Sequence, residues 1–146
     1  MSFDLSSINW LAVLIGTAIY FVLGAVWFAP ITPIGKAWMQ AAAYESPTSG
    51  GMSTNAFYVI PLVTCLVMVT ALALLAEAVG VATPGDGVVL GLVAGIGFAV
   101  PLLITTAAFE FKKPRPFTWG VIDASYHAVG LTIAGAVIGL LAKGSG

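Results

Sequence analysis

Four long apolar runs constrain this chain more than any other feature of its sequence. They cover approximately residues 8–28, 56–79, 88–109 and 119–141, and each meets the length of about 20 residues that a helix needs to cross a bilayer. Because lipid cannot satisfy backbone polar groups, only helices and closed barrels span it, and continuous apolar runs without alternation indicate helices. The sequence therefore predicts an all-α integral membrane protein: a four-transmembrane-helix bundle, with residues 1–146 forming one transmembrane domain.

The composition agrees with a membrane protein and excludes several other classes. Charged residues make up 8% of the chain, far below the roughly 25% of a soluble domain. The net charge of −1 predicts no nucleic-acid partner. Cys65 is the only cysteine, so an internal disulfide is excluded. The N-terminus carries Asp4 and no basic residue before the first apolar run, which predicts that no signal peptide is cleaved.

The connection between the first and second runs is the longest in the chain. Gly35–Tyr44 combines apolar, aromatic and basic side chains, which predicts a short helix lying at the membrane interface. Residues 46–51 read SPTSGG, a composition typical of turns. Ser53 or Asn55 is expected to cap the second span.

Small residues predict which helix faces pack against one another, because they allow two backbones to approach closely. The fourth span is small on two opposite faces, so we expect it to be central in the bundle or shared with a second copy. Pro61 and Pro101 each remove a helix hydrogen bond and favour kinks in the second and third spans. The predicted packing glycines are Gly16, Gly24, Gly91, Gly95, Gly135 and Gly139.

The basic residues predict the orientation of the protein in the cytoplasmic (cell) membrane. Lys36, Lys112, Lys113 and Arg115 lie in the first and third loops, and only Lys143 lies on the other side. Positive charges favour the cytoplasmic side. We therefore expect a multi-pass protein with loops one and three in the cytoplasm and both termini outside.

Asp123 and His127 are the candidate functional pair. They lie four residues apart in the last run, so they share one helix face, and ionisable groups inside a span are functional-site hypotheses. If Trp119 marks the interface, Asp123 lies about 6 Å and His127 about 12 Å deep, from a rise of about 1.5 Å per residue. The expected partners of Asp123 are Lys113, Arg115 or Lys36, and those of His127 are Asp123, Tyr20, Thr105 or Tyr126.

Several roles remain open for this pair. Asp123 and His127 can serve as polar contacts between helices, or His127, with an ordinary pKa of about 6.5, can carry protons. A metal or haem site needs more ligands than one histidine provides, unless two copies each contribute one. For nucleophilic catalysis, Ser125 is not at helical contact spacing from His127, and Cys65 has no evident base. We therefore expect no metal, no cofactor and no enzymatic activity.

An ordered set of short motifs runs along the whole chain. Together they resemble a family of small four-span bacterial membrane proteins catalogued as domain of unknown function 1761. The resemblance implies a helical integral protein of the cytoplasmic membrane and supplies no activity, substrate or cofactor. The matching motifs are Asn9-Trp10, the exit Gly24–Phe28 followed by Pro30, Gly35–Trp38, Gly51-Met52 and Tyr126-His127.

The function that these features predict is association within the membrane. The chain lacks a separate soluble domain and has many small-residue faces, so we expect a homo-oligomer or an accessory subunit of a larger membrane complex, with the lipid bilayer as its surroundings. The alternative is a small proton-coupled transporter or channel that uses His127 and Asp123. Against that alternative, the first three spans carry no charged residue near their centres.

Overall fold

The computed structural model describes residues 4–45 and 53–142, and within those ranges every regular element is helical. Four of its helices, Trp10–Trp27, Thr54–Val79, Pro84–Ala108 and Pro116–Leu140, are long and apolar enough to cross a membrane. This confirms the predicted all-α, four-span fold class. In chain order the elements are α1 (Trp10–Trp27), α2 (Pro33–Ala42), α3 (Thr54–Val79), α4 (Pro84–Ala94), a π-helical segment (Gly95–Ala99), α5 (Val100–Ala108) and α6 (Pro116–Leu140).

The helix ends follow from capping side chains. Asn9 caps α1 by accepting from the backbone N–H groups of Leu11 and Ala12, and its Nδ2 also donates to the carbonyl of Leu141 at 2.8 Å. Ser53, one of the two predicted caps, caps α3. The predicted short helix in the first loop is α2, while the predicted turn at 46–51 and the Gly51-Met52 motif lie outside the described residues.

The third span begins earlier than the predicted residue 88 because Thr83 and Asp86 form a capping box. Each side chain accepts from the backbone N–H of the other residue, which satisfies donors that a helix start leaves free. Further along, a π-helical segment interrupts the third span just before Pro101. The kinks predicted at Pro61 and Pro101 stay predictions. The N–H of Val100 donates to the carbonyl of Gly95, and Pro101, which has no N–H, follows directly.

The central helix is α6, which contacts α1, α2, α3, α4, the π-helical segment and α5. Its closest neighbour is α4, with which it packs backbone against backbone. A Cβ added at Gly91 would lie 2.7 Å from Cα of Thr132, and one at Gly95 would lie 2.7 Å from Cα of Ala128. Only glycine permits this approach. The contacts of α6 with all the other helical elements described confirm the prediction that it is central.

Gly135 and Gly139 pack against α4 and its cap within this chain. A Cβ at Gly135 would meet the carbonyl of Gly87, and one at Gly139 would meet the carbonyl of Thr83. Both partners belong to the start of α4 or its cap. This face of α6 is therefore covered by α4 within one chain, and the sharing of the span with a second copy stays a prediction.

The opposite face of α6 receives α1. Gly16 approaches Ala134, and a Cβ added to it would lie 3.1 Å from Cγ1 of Val69 on α3. Val13 and Val69 are fully buried at this junction. The predicted packing face of α1 is thereby placed against both α3 and α6.

Candidate functional site

The centre of the bundle holds a hydrogen-bonded pair, Tyr20 on α1 and His127 on α6. The Tyr20 hydroxyl bonds to Nδ1 of His127, and the two rings meet edge to face at a centroid distance of 5.9 Å. Tyr20 is only 1% exposed. The ring fits there because residue 130 is glycine, and any side chain at that position would overlap the ring. Of the predicted partners of His127, the structure therefore selects Tyr20.

Tyr126 contributes to the same cluster without bonding to His127. Its hydroxyl donates to the backbone carbonyl of Tyr20 at 3.2 Å and lies 3.6 Å from the Cys65 thiol. A Cβ added at Gly24 would lie 2.8 Å from the Tyr126 hydroxyl oxygen. The predicted packing glycine Gly24 therefore makes room for this ring, and the cluster joins α1, α3 and α6.

Asp123 faces a different element from His127. Its Oδ1 accepts a hydrogen bond of 2.8 Å from the indole N–H of Trp38 on α2. The Trp38 ring packs against Phe28, which in turn packs against Tyr126, each pair at a centroid distance of 5.1 Å. Asp123 therefore fixes the short helix α2 to the start of α6.

The basic residues predicted to pair with Asp123 do not do so. Lys113 forms an ion pair with Glu110, and its Nζ lies 4.4 Å above the Trp119 ring. Lys36 and Arg115 are exposed. Among the described residues, the Asp123 carboxylate accepts its hydrogen bond from the uncharged Trp38 indole and forms no ion pair, although the charge of Lys113 is near enough to act on it.

Two other candidate partners of His127 form no described hydrogen bond with it. Asp123 shares its helix face at i, i+4, yet no hydrogen bond joins the two side chains in the described part of the chain, because one bonds to α2 and the other to α1. Thr105 lies exposed on α5, away from the cluster. The candidate pair therefore consists of two separate polar contacts at different depths.

An apolar groove of about 360 Å³ lies beside His127. It runs between Met68–Leu75 on α3 and Ala94–Leu103 of the third span, with His127 and Leu131 of α6 contributing to its lining. Among the described residues that line the groove, His127 is the only one whose side chain has a nitrogen or oxygen atom. Phe98 and Leu102 at its edge are 72% and 67% exposed, so the groove opens toward the surrounding lipid.

The side chains of the site are better suited to hydrogen bonding than to binding a metal ion. Across residues 4–45 and 53–142, no three His, Cys, Asp or Glu side chains lie close enough to hold a metal ion. His127 has its Nδ1 engaged by Tyr20, and no described residue bonds its Nε2. One imidazole nitrogen is therefore left for a ligand.

The sequence reasoning missed Trp38 as a partner and missed the groove. A signal for Trp38 was present, since Trp38 and Asp123 were both assigned to the side of the first and third loops. The groove has no recognisable signature in the sequence, because it is lined by ordinary apolar side chains from three segments that are distant in sequence.

Comparison with known proteins gives the family of the chain. Neither the curated proteins nor the solved structures contain a match to it. One family model matches residues 11–139, a stretch that extends from α1 to the last turn of α6. The chain therefore belongs to the family described as "Protein of unknown function (DUF1761)".

Proposed function

We propose that this protein works by helix–helix association in the cytoplasmic membrane, as a homo-oligomer or as an accessory subunit of a larger membrane complex. In this proposal both termini lie outside and the basic loops face the cytoplasm, following the distribution of Lys and Arg. Lys143, on which the count for the other side rests, lies outside the described residues.

The observation that supports association is a small-residue stripe on the outer face of the third span. Gly97, Pro101, Thr105 and Ala108 follow one another at three- or four-residue spacing, and all are exposed. No atom of the described residues lies within 4 Å of a Cβ added to Gly97. Small residues on a lipid-facing surface favour contact with another helix, because van der Waals packing drives association in membranes.

The outer face of α1 provides the contrast. It carries bulky aliphatic side chains such as Leu11, Leu14 and Val22, which are 58–60% exposed. Such a surface is typical of contact with lipid chains. Because the glycines that join α4 to α6 are used within the chain, we assign the partner to the exposed small-residue stripe on the third span.

The test is a size change at the stripe that leaves the fold intact. Gly97→Leu is expected to reduce the oligomer, or the co-purifying complex, because the new side chain blocks close approach. Val22→Leu on α1 is the control and should have no effect. The readout is native mass spectrometry of protein extracted at native abundance, and unchanged assembly of Gly97→Leu would contradict the proposal.

The transport alternative has less support from the geometry. Proton transfer between Asp123 and His127 would need a polar connection, whereas these side chains bond to Trp38 and Tyr20 respectively. Proton uptake by reconstituted vesicles that is lost in His127→Gln would favour transport over association.

A further inference from the structure

We propose that the apolar groove beside His127 binds an isoprenoid quinone, whose ring carbonyl accepts a hydrogen bond from Nε2 of His127. This inference goes beyond association, since the groove and the Gly97 stripe use different faces of the third span. Four observations carry it: the polarity of the free imidazole nitrogen, the depth of His127, the size of the groove and its open edge.

The Tyr20 contact determines which kind of group His127 offers. A phenolic hydroxyl has one proton to donate, and Nδ1 of His127 is the nearest strong acceptor, the Met68 thioether being 4.0 Å away. With Nδ1 accepting, the proton of a neutral imidazole resides on Nε2. His127 lines the groove and turns Nδ1 toward Tyr20 on α1, so we infer that the other ring nitrogen, Nε2–H, faces the groove. A ligand there must then supply an acceptor such as a carbonyl oxygen.

The depth of His127 excludes a charged headgroup as the group that bonds to Nε2. It is the twelfth of the 25 residues of α6, which places it about 16 Å along the helix at about 1.5 Å per residue. That is close to the middle of a hydrocarbon layer of about 30 Å. A charged headgroup is costly at this depth, whereas a quinone head is neutral and carries its carbonyls on an apolar ring.

The size and shape of the groove suit a flat ring with a flexible tail. Its volume of about 360 Å³ falls in the range of about 300–1,000 Å³ for small-molecule sites. Phe98, in the π-helical segment, lines it and offers an aromatic surface to the ring. Because Leu102 at the edge is 67% exposed, an isoprenoid tail can leave into the bilayer. π-Helical turns inside α-helices are frequent at functional sites.

The test measures binding of decylubiquinone to the purified full chain in detergent micelles by isothermal titration calorimetry. We expect saturable binding of one quinone per chain. The double variant Tyr20→Phe/His127→Phe removes the donor without leaving a hydroxyl unpaired, and it should weaken binding about tenfold, the effect of one hydrogen bond. Decylbenzene has the tail and a ring but no carbonyls, so the double variant and wild type should bind it with equal affinity.

A second pair of variants tests the groove itself. Ala71→Phe fills the groove from an exposed position on α3 and should abolish binding, whereas Ala18→Phe, at an exposed position on α1, should not change it. Both positions face outward, so both variants are expected to fold. Gly97→Leu should also bind normally, which separates this proposal from the one on association.

Three results would overturn the quinone site. They are equal affinity in wild type and the double variant, equal affinity for decylbenzene and decylubiquinone, and undiminished binding by Ala71→Phe. A further test replaces Leu102 with a photo-crosslinking amino acid and identifies what it crosslinks to in native membranes. A protein adduct there would mean that a neighbouring helix covers the groove, whereas a quinone adduct would support the assignment.

Discussion

Gly91→Ala tests the backbone contact between α4 and α6 with a single methyl group. The new Cβ would lie 2.7 Å from Cα of Thr132, where carbon atoms normally approach to about 3.5–4.0 Å. The neighbour is backbone and cannot rotate away, so the helices must separate by about 1 Å, which forfeits part of the attraction of every contact along the seam. Overpacking of this kind costs about 1–3 kcal/mol.

Gly97→Ala is the matched control in the same span. Within a single chain no described atom lies within 4 Å of its Cβ, so in dilute micelles that hold one chain each it gains helix propensity of up to about 1 kcal/mol without a steric cost. Since Gly91→Ala gains a comparable propensity, the difference in free energy of unfolding between the two isolates the steric term of about 1–3 kcal/mol. The assay is reversible unfolding by SDS in mixed micelles, followed by circular dichroism. Equal stability of the two variants would refute the reasoning.

Three further predictions follow from the polar contacts and the loops. Asp123→Leu should lower the free energy of unfolding by about 1–3 kcal/mol, because the indole N–H on α2 loses its acceptor. Asp123→Asn keeps an acceptor, so equal losses in the two variants would contradict this. His127→Gln should unfold like wild type, whereas His127→Leu should lose about 1–3 kcal/mol because the Tyr20 hydroxyl is left unpaired; a stable Leu variant would count against the pair. Impermeant thiol reagents added from outside should miss Lys36→Cys and label Ser145→Cys, and the reverse pattern would invert the topology.

The sequence was enough to predict the spans and the central position of α6. Hydrophobic length is a property of each segment alone, so the predicted run 56–79 differs from α3, Thr54–Val79, by two residues at one end. The paired small faces of α6 also predicted neighbours on both sides. Gly130 and Gly135, on those two faces, now receive α1 and α4 respectively.

Contacts between helices could not be read from helix periodicity. Asp123 and His127 share a face by spacing, but the rotation of α6 relative to its neighbours sends one side chain to Trp38 and the other to Tyr20. Thr105 was placed near His127 by depth alone, and the orientation of α5 after the π-helical segment leaves it exposed. These outcomes depend on crossing geometry, which small changes in packing decide.

The central position of α6 has a consequence for synthesis, because the helix that contacts all the others is the last of them to be made. At a translation rate of about 5–20 residues per second, roughly 5–25 s pass between the completion of α1 and the completion of α6. During that interval Tyr20 lacks His127, the α4 glycines lack their seam, and Asn9 lacks the carbonyl of Leu141. The earlier spans can form the direct α1–α3 and α3–α4 contacts before then, whereas every contact that depends on α6 forms only after α6 has been translated.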